Sequence, residues 1–232
     1  MLLLISSLLL MSCGADKYMK KGEKFLALGE YYDAADQFKQ AYTRTPAKER
    51  DTRGKRALKM AQCYQRINAT PKAIAAYRNA IRYNQASKED QLAYARQLLK
   101  NGDYRQAEKV FLMLKDSMPG NQLVANGLKS AQMAPEWKKQ GSRYIVKRMD
   151  VFNSRRHDYS PVLFGDDYDQ LYFTSTRNEA LGDELSGITG TKAGDIFLSE
   201  KDDRGKWSKP EAIGTGLNTD YDEGACCFTP DD

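Results

Sequence analysis

Three segments in the first half of the chain follow one pattern. Gly29-Glu30-Tyr31-Tyr32-Asp33-Ala34 runs on to Phe38 and Ala41, and Gly102-Asp103-Tyr104-Arg105-Gln106-Ala107 runs on to Phe111. Between them, Asn68-Ala69-Thr70-Pro71-Lys72-Ala73 runs on to Tyr77 and Ala80. Ala73 and Ala107 are 34 residues apart, as are Tyr77 and Phe111, whereas Ala34 and Ala73 are 39 apart. One connection therefore carries five extra residues, which we assign to the charged stretch at 48–56. Recurrence at this period restricts the fold severely: each copy is one helix-turn-helix that cannot bury its apolar face alone, so the copies must stack.

The pattern resembles the tetratricopeptide repeat in three copies over residues 15–119, with small residues where helices approach, aromatics beyond them, and Gly and Pro (Pro46, Pro119) at the turns. Residues 121–133 read as a terminal helix over the last apolar face, and Ala134-Pro135 as the start of a connection. Solenoids of this family bind other proteins on the concave surface made by each repeat's first helix. The helical period places Lys55, Leu58, Gln62, Arg66, Glu89, Leu92, Arg96, Leu99 and Lys100 on that surface, and its four cations suit an acidic peptide or a carboxylate.

Residues 2–11 are an apolar run too short to cross a bilayer, for which about 20 residues are needed. With the following Ser12-Cys13-Gly14 they resemble a signal peptide over 1–12 ending in a lipobox, which implies lipidation of Cys13 and attachment to a membrane through that lipid. The remaining cysteines, Cys63, Cys226 and Cys227, suggest no disulfide framework.

From about residue 144 the pattern changes to short β-rich runs at 143–149, 159–164, 170–175, 195–200 and 207–213, separated by Asp- and Gly-rich turns. The charge changes with it. Residues 1–140 hold 25 Lys and Arg against 13 Asp and Glu, while residues 141–232 hold 11 against 18. Asp158 to Phe164 recurs 64 residues later as Asp222 to Phe228. With Leu171-Tyr172-Phe173-Thr174-Ser175, Asp195-Ile196-Phe197, Trp207-Ser208-Lys209-Pro210-Glu211 and Leu217-Asn218-Thr219, this resembles periplasmic WD40-like β-propeller blades over 150–232. One blade and the opening of a second are present, so the resemblance implies an N-terminal piece of a longer protein. The run 225–228 then has no core to enter, and strand 223–228 has no blade partners.

The expected architecture is multidomain, α then β: a tetratricopeptide-repeat solenoid over 13–134, a connection and first strand over 135–149, and an incomplete antiparallel propeller over 150–232. A single histidine, His157, disfavours zinc and nucleophile-histidine chemistry. Asp166, Asp167 and Asp169 read as an ordinary turn, and the basic residues form no compact run. We therefore expect no catalytic residues, cofactor, metal or nucleic-acid partner. Lipobox, repeats and propeller together are similar to Gram-negative outer-membrane lipoproteins of the OmpA family associated with type IX secretion. That resemblance implies a non-enzymatic adaptor facing the periplasm, with envelope proteins as partners, and a tie to peptidoglycan through a further C-terminal domain. The alternative is a ligand-binding or sensory periplasmic lipoprotein using the propeller channel for a glycan or small molecule.

Overall fold

The computed structural model describes the backbone of residues 2–229 and the side chains of residues 14–229. The chain divides into two compact units, residues 1–143 with 187–189, and residues 144–186 with 190–232.

The first unit is a row of antiparallel helices: α1 (Leu2–Leu28), α2 (Tyr31–Arg44), α3 (Arg50–Arg66), α4 (Thr70–Arg82), α5 (Lys88–Asn101), α6 (Tyr104–Ser117) and α7 (Gln122–Gln140). α1 packs on α2, α3 on α4 and α5 on α6, and each pair continues onto the next helix. The repeated alanines decide how close the helices come: Ala34, Ala73 and Ala107 are fully buried, and one turn later Phe38, Tyr77 and Phe111 fill the gap. Each such ring contributes about 1.5–3 kcal/mol by leaving water.

The turns between paired helices need a left-handed residue. Gly29 (φ 79°) and Gly102 (φ 84°) supply it in the outer pairs, and Asn68 (φ 57°) in the middle one, which is why the second copy could dispense with glycine. α5 starts with a capping box between Ser87 and Asp90, and Asn121 caps α7 by accepting from the amides of Leu123 and Val124.

Two expectations for this unit are corrected. The extra residues between the first and second copies lie largely within α3, a helix of 17 residues, not in a long loop. There Arg56 is buried, donating to Asp16 of α1 and to Ala41 O and Thr45 Oγ1 at the end of α2. The connection at Ala134-Pro135 is absent, because α7 runs through Pro135 to Gln140. A proline removes a single bond to the preceding turn, and the good helix formers after it, with Lys139 paired to Glu136 at 2.8 Å, carry the helix on.

The second unit is a four-stranded antiparallel meander: β1 (Asp158–Phe164), β2 (Gln170–Ser175), β3 (Asp195–Glu200) and β4 (Glu211–Ala212), in that spatial order. β1 carries an irregularity between Tyr159 and Val162, where Ser160 has φ 53° and Pro161 lacks an amide donor. One face holds Leu171, Phe173 and Phe197 with Ala180, covered by Phe152 and Trp207. The loop from 202 to 206 is an Asx turn, with Asp202 Oδ1 accepting from the amides of Arg204 and Lys206.

The expected strand at 143–149 does not form, and Ile145 and Val146 are 85% and 91% exposed. Strand-prone side chains form a strand only within a ladder, and among the described residues no ladder includes this segment. The fourth strand is shorter than expected, since Pro210 cannot donate to β3; Trp207 instead forms a single bridge with Lys201. Residues 223–228 are not a strand, yet the run 225–228 does find a partner, because Phe228 packs on Phe164 and Tyr172. The side chain of Cys13 lies outside the described residues.

Candidate functional site

Within the helical unit, five helices contribute to one open hollow of 640 Å³. Leu26 lies in the last turn of α1 and Tyr31 begins α2, α3 supplies Gln62, Gln65 and Arg66, α4 supplies Tyr77, and the first turns of α5 supply Glu89, Asp90 and Ala93.

The lining is ordered by its own hydrogen bonds. Tyr77 donates its hydroxyl to Gln65 Oε1 at 2.6 Å, and Gln62 Nε2 donates to Asp90 Oδ1 at 3.1 Å. Asp90 is fixed from behind, since its Oδ2 accepts the Ser87 amide at 3.0 Å in the capping box. The guanidinium of Arg66 lies over the ring of Tyr31, 5.8 Å from its centroid. Burial pushes the Tyr77 phenol up to about 12, with the Asp90 carboxylate and Cys63 adding to the shift, so at neutral pH the hydroxyl keeps the proton it donates to Gln65. The Glu89 carboxyl is held below its usual range by its own backbone amide, by the Ser87 hydroxyl and by Lys88.

The hollow is thus lined by two carboxylates, one guanidinium, two amides and two tyrosines, of which Tyr77 is itself buried. These groups can grip a polypeptide by hydrogen bonds and ring faces.

Of the nine residues expected on the concave surface, Gln62, Arg66 and Glu89 line this hollow. Lys55, Arg96 and Lys100 are exposed but do not line it, and Lys100 donates to Asn68 Oδ1 at 2.7 Å at the turn of the middle pair. The leucines require correction. Leu92 is 7% exposed and belongs to the core, while Leu58 and Leu99 pack partly buried against it. The helical period marks which residues share a face, but where that face leans on a neighbouring helix an apolar side chain is drawn inward. The expected basic grip is corrected as well, since Arg66 alone of the four cations lines the hollow, which Glu89 and Asp90 line too.

Sequence reasoning missed Leu26, Tyr31, Gln65, Tyr77, Asp90 and Ala93. Tyr31 and Tyr77 read as packing aromatics, and Tyr77 is also that, buried with its hydroxyl bonded to Gln65. Asp90 three residues after Ser87 was available as a helix-start signal that would have located the rim.

In the second unit His157 and Asp158 have separate partners. His157 is exposed, and its amide donates to Thr176 Oγ1 at 3.3 Å. Asp158 instead pairs with Arg177 at 2.8 Å and accepts from Ser175 Oγ at 2.6 Å. Cys63 is buried and Cys226 half-buried; both are free thiols, and burial pushes the Cys63 thiol up to about 11 against the opposing pull of Lys59. Among the described residues no helix is long and apolar enough to cross a membrane, and no group of three or more His, Cys, Asp or Glu could hold a metal ion.

The chain is similar to solved tetratricopeptide-repeat domains. The first such domain of Spaghetti (RPAP3), bound to an HSP90 peptide, is 18% identical over 54% of this chain and 96% of that one, with a TM-score of 0.44. The first domain of human RPAP3 is 17% identical over 56% and 99%, with a TM-score of 0.43. The Sgt2 domain of Aspergillus fumigatus is 19% identical over 59% and 88%, with a TM-score of 0.42. No family model and no curated protein matches the chain.

Proposed function

We propose that the chain is a non-enzymatic adaptor that holds segments of other proteins in the hollow between α1 and α5. The observation that carries this reading is the hollow itself. Its polar groups are ordered by one another, so a bound peptide would meet preset donors and acceptors and lose less freedom on docking. The accompanying Glu89 and Asp90 favour a segment carrying amide donors or a basic side chain.

The finer parts of the proposal rest on sequence resemblance. Cys13 in Leu10-Met11-Ser12-Cys13-Gly14 is the lipid attachment point, placing the protein on the outer membrane toward the periplasm. The four-stranded meander is the first blade of a propeller, and residues 222–228 open the second. A further domain would connect this assembly to peptidoglycan, and the partners are proteins of an envelope secretion complex.

The test is site-specific photocrosslinking in the native envelope. A photoreactive residue at Gln62 should give a discrete adduct that Ala93→Arg abolishes, while the same probe at the exposed Lys109 gives none. Equal adducts from both positions, or an adduct unaffected by Ala93→Arg, would remove the hollow as the binding site. Loss of palmitate labelling and of membrane fractionation in Cys13→Ala tests the anchor separately.

A further inference from the structure

The second unit is acidic overall, yet one of its hollows is lined by arginines. Ser154, Arg155, Arg156, Arg177, Asn178 and Glu179 surround a space of 440 Å³, in the size range of small-molecule sites. We propose that this hollow binds a compact oxyanion group, a phosphate or a carboxylate, carried by a small molecule.

Arg177 is held rigidly. Its Nε donates to Ser175 Oγ at 2.9 Å, and its Nη2 donates to Phe152 O at 2.6 Å and to Asp158 Oδ1 at 2.8 Å. The guanidinium also lies over the rings of Phe173 and Phe197, 5.0 and 4.7 Å from their centroids. Nη1 has no partner among the described residues, so one edge of a fixed guanidinium is left for a ligand. Arg155 has no hydrogen-bond or ion-pair partner among the described residues. Arg156 makes one contact at the limit of hydrogen bonding, Nη2 to Asn178 Oδ1 at 3.5 Å.

The acids nearby are already engaged. Asp158 is taken by Arg177 and Ser175, and Glu179 faces Lys209 at 3.4 Å. The Lys192 ammonium sits close by on the carbonyls of Asn178 and Ala180, both at 3.0 Å. Ser154 braces the rim, its Oγ accepting the Arg156 amide at 3.0 Å while its amide donates to Asp158 Oδ2 at 2.6 Å and its hydroxyl faces the same carboxylate. One guanidinium without a partner among the described residues, one with a single marginal contact and one pinned form, around a single hollow, an excess of donors and positive charge. Guanidinium forks match the geometry of phosphate and carboxylate oxygens.

The experiment uses the full chain at fixed ionic strength. Inorganic phosphate and glucuronate are titrated separately while backbone amide shifts are followed by NMR, in the wild type, in Arg155→Ala/Arg156→Ala and in Arg204→Ala, an exposed arginine of the 202–206 turn. We expect saturable shifts at residues 154–156 and 177–179, with affinity lowered about tenfold or more in the double variant and unchanged in Arg204→Ala. Saturation by phosphate alone assigns a phosphate ligand, and by glucuronate alone a carboxylate ligand. No saturable response to either probe, or equal affinity in the wild type and a folded double variant, would overturn the proposal.

Discussion

Phe228 stacks on Phe164 with ring centroids 4.1 Å apart and 24° between the ring planes, and the two phenylalanines occupy the same position of a pattern that recurs after 64 residues. Tyr172 meets Phe228 edge-on at 4.9 Å, and Thr174 Oγ1 donates to Gly224 O at 2.9 Å. The second copy of the pattern therefore rests on the sheet built by the first. Nearby, the buried Asn218 acts as a substitute strand: its Oδ1 accepts the Ile196 amide at 2.9 Å and its Nδ2 donates to Ile196 O at 3.0 Å.

If that packing stabilises the unit, Phe228→Ala should lower the unfolding free energy by about 1–3 kcal/mol, the lower part of the range for losing a phenylalanine because both rings are half-buried. Denaturant unfolding followed by Trp207 fluorescence measures it. An unchanged midpoint would show that the stack contributes nothing in solution.

The Asp195 carboxyl sets a pH dependence of unusual sign. The residue is fully buried, with Oδ2 accepting the Leu181 amide at 2.8 Å, while its Oδ1 and Glu223 Oε2 are both buried without a partner. Burial raises its pKa, the Leu181 amide works against that, and Glu223 raises it further; Lys192 lowers it weakly. Asp222 lies close too, bonded to the Gly194 amide at 2.7 Å. An acid whose folded pKa is raised contributes stability below its unfolded pKa, about 4, and loses it as pH rises through the folded value. Asp195→Asn keeps an oxygen for Leu181 and supplies a donor toward Glu223. It should be about 1 kcal/mol more stable than wild type at pH 7.5, with the difference shrinking toward pH 4.5. A variant less stable at both pH values would refute the assignment.

Asp158 behaves in the opposite way. Burial opposes its ionisation, but the Ser175 hydroxyl, the Arg177 guanidinium and Ser154 outweigh it and hold the carboxyl below its usual range. Its contribution is present above the unfolded pKa and is lost as pH falls through the folded one. Asp158→Asn leaves Arg177 buried without its counter-charge and should cost about 3 kcal/mol at neutral pH, within the range for breaking a buried pair. The loss should be smaller in acid. Equal destabilisation at pH 3 and pH 7 would show a packing defect in place of a charge effect.

The parts of this fold that repeat were legible in the sequence, and the parts that depend on a single neighbour were not. Alanine followed by an aromatic four residues later fixes the helix pairs, because only a small residue lets two helices approach there. Three of the four observed strands could be read because alternation and Asp-Gly turns bound them. The failures at 143–149 and at Pro135 share a cause: local propensity speaks for a segment, but ladder partners and flanking helix formers decide it. In the hollow, Gln62, Arg66 and Glu89 could be read from helical period, whereas Tyr31 and Tyr77 could not, since a ring that fills a core and a phenol that lines a hollow leave the same letter.

Gly127 carries the sharpest packing prediction. It lies on α7 facing the ring of Phe111 on α6, and a Cβ placed there would overlap that ring. Gly22 on α1 has a similar relation to Phe38 on α2, where a Cβ would stand 2.7 Å from Cδ1. An alanine inside a helix gains about 1 kcal/mol over glycine from propensity alone, and overpacking a core costs about 1–3 kcal/mol. Because Phe111 is fully buried and cannot swing aside, the cost should win, and Gly127→Ala should lower the melting temperature. Phe111→Leu opens the space that the new methyl needs. The double variant Gly127→Ala/Phe111→Leu should therefore be more stable than the sum of the single effects allows, by about 1 kcal/mol in a double-mutant cycle. Strict additivity, or a stabilised Gly127→Ala, would mean that α6 and α7 do not approach as closely as the Phe111 contact requires.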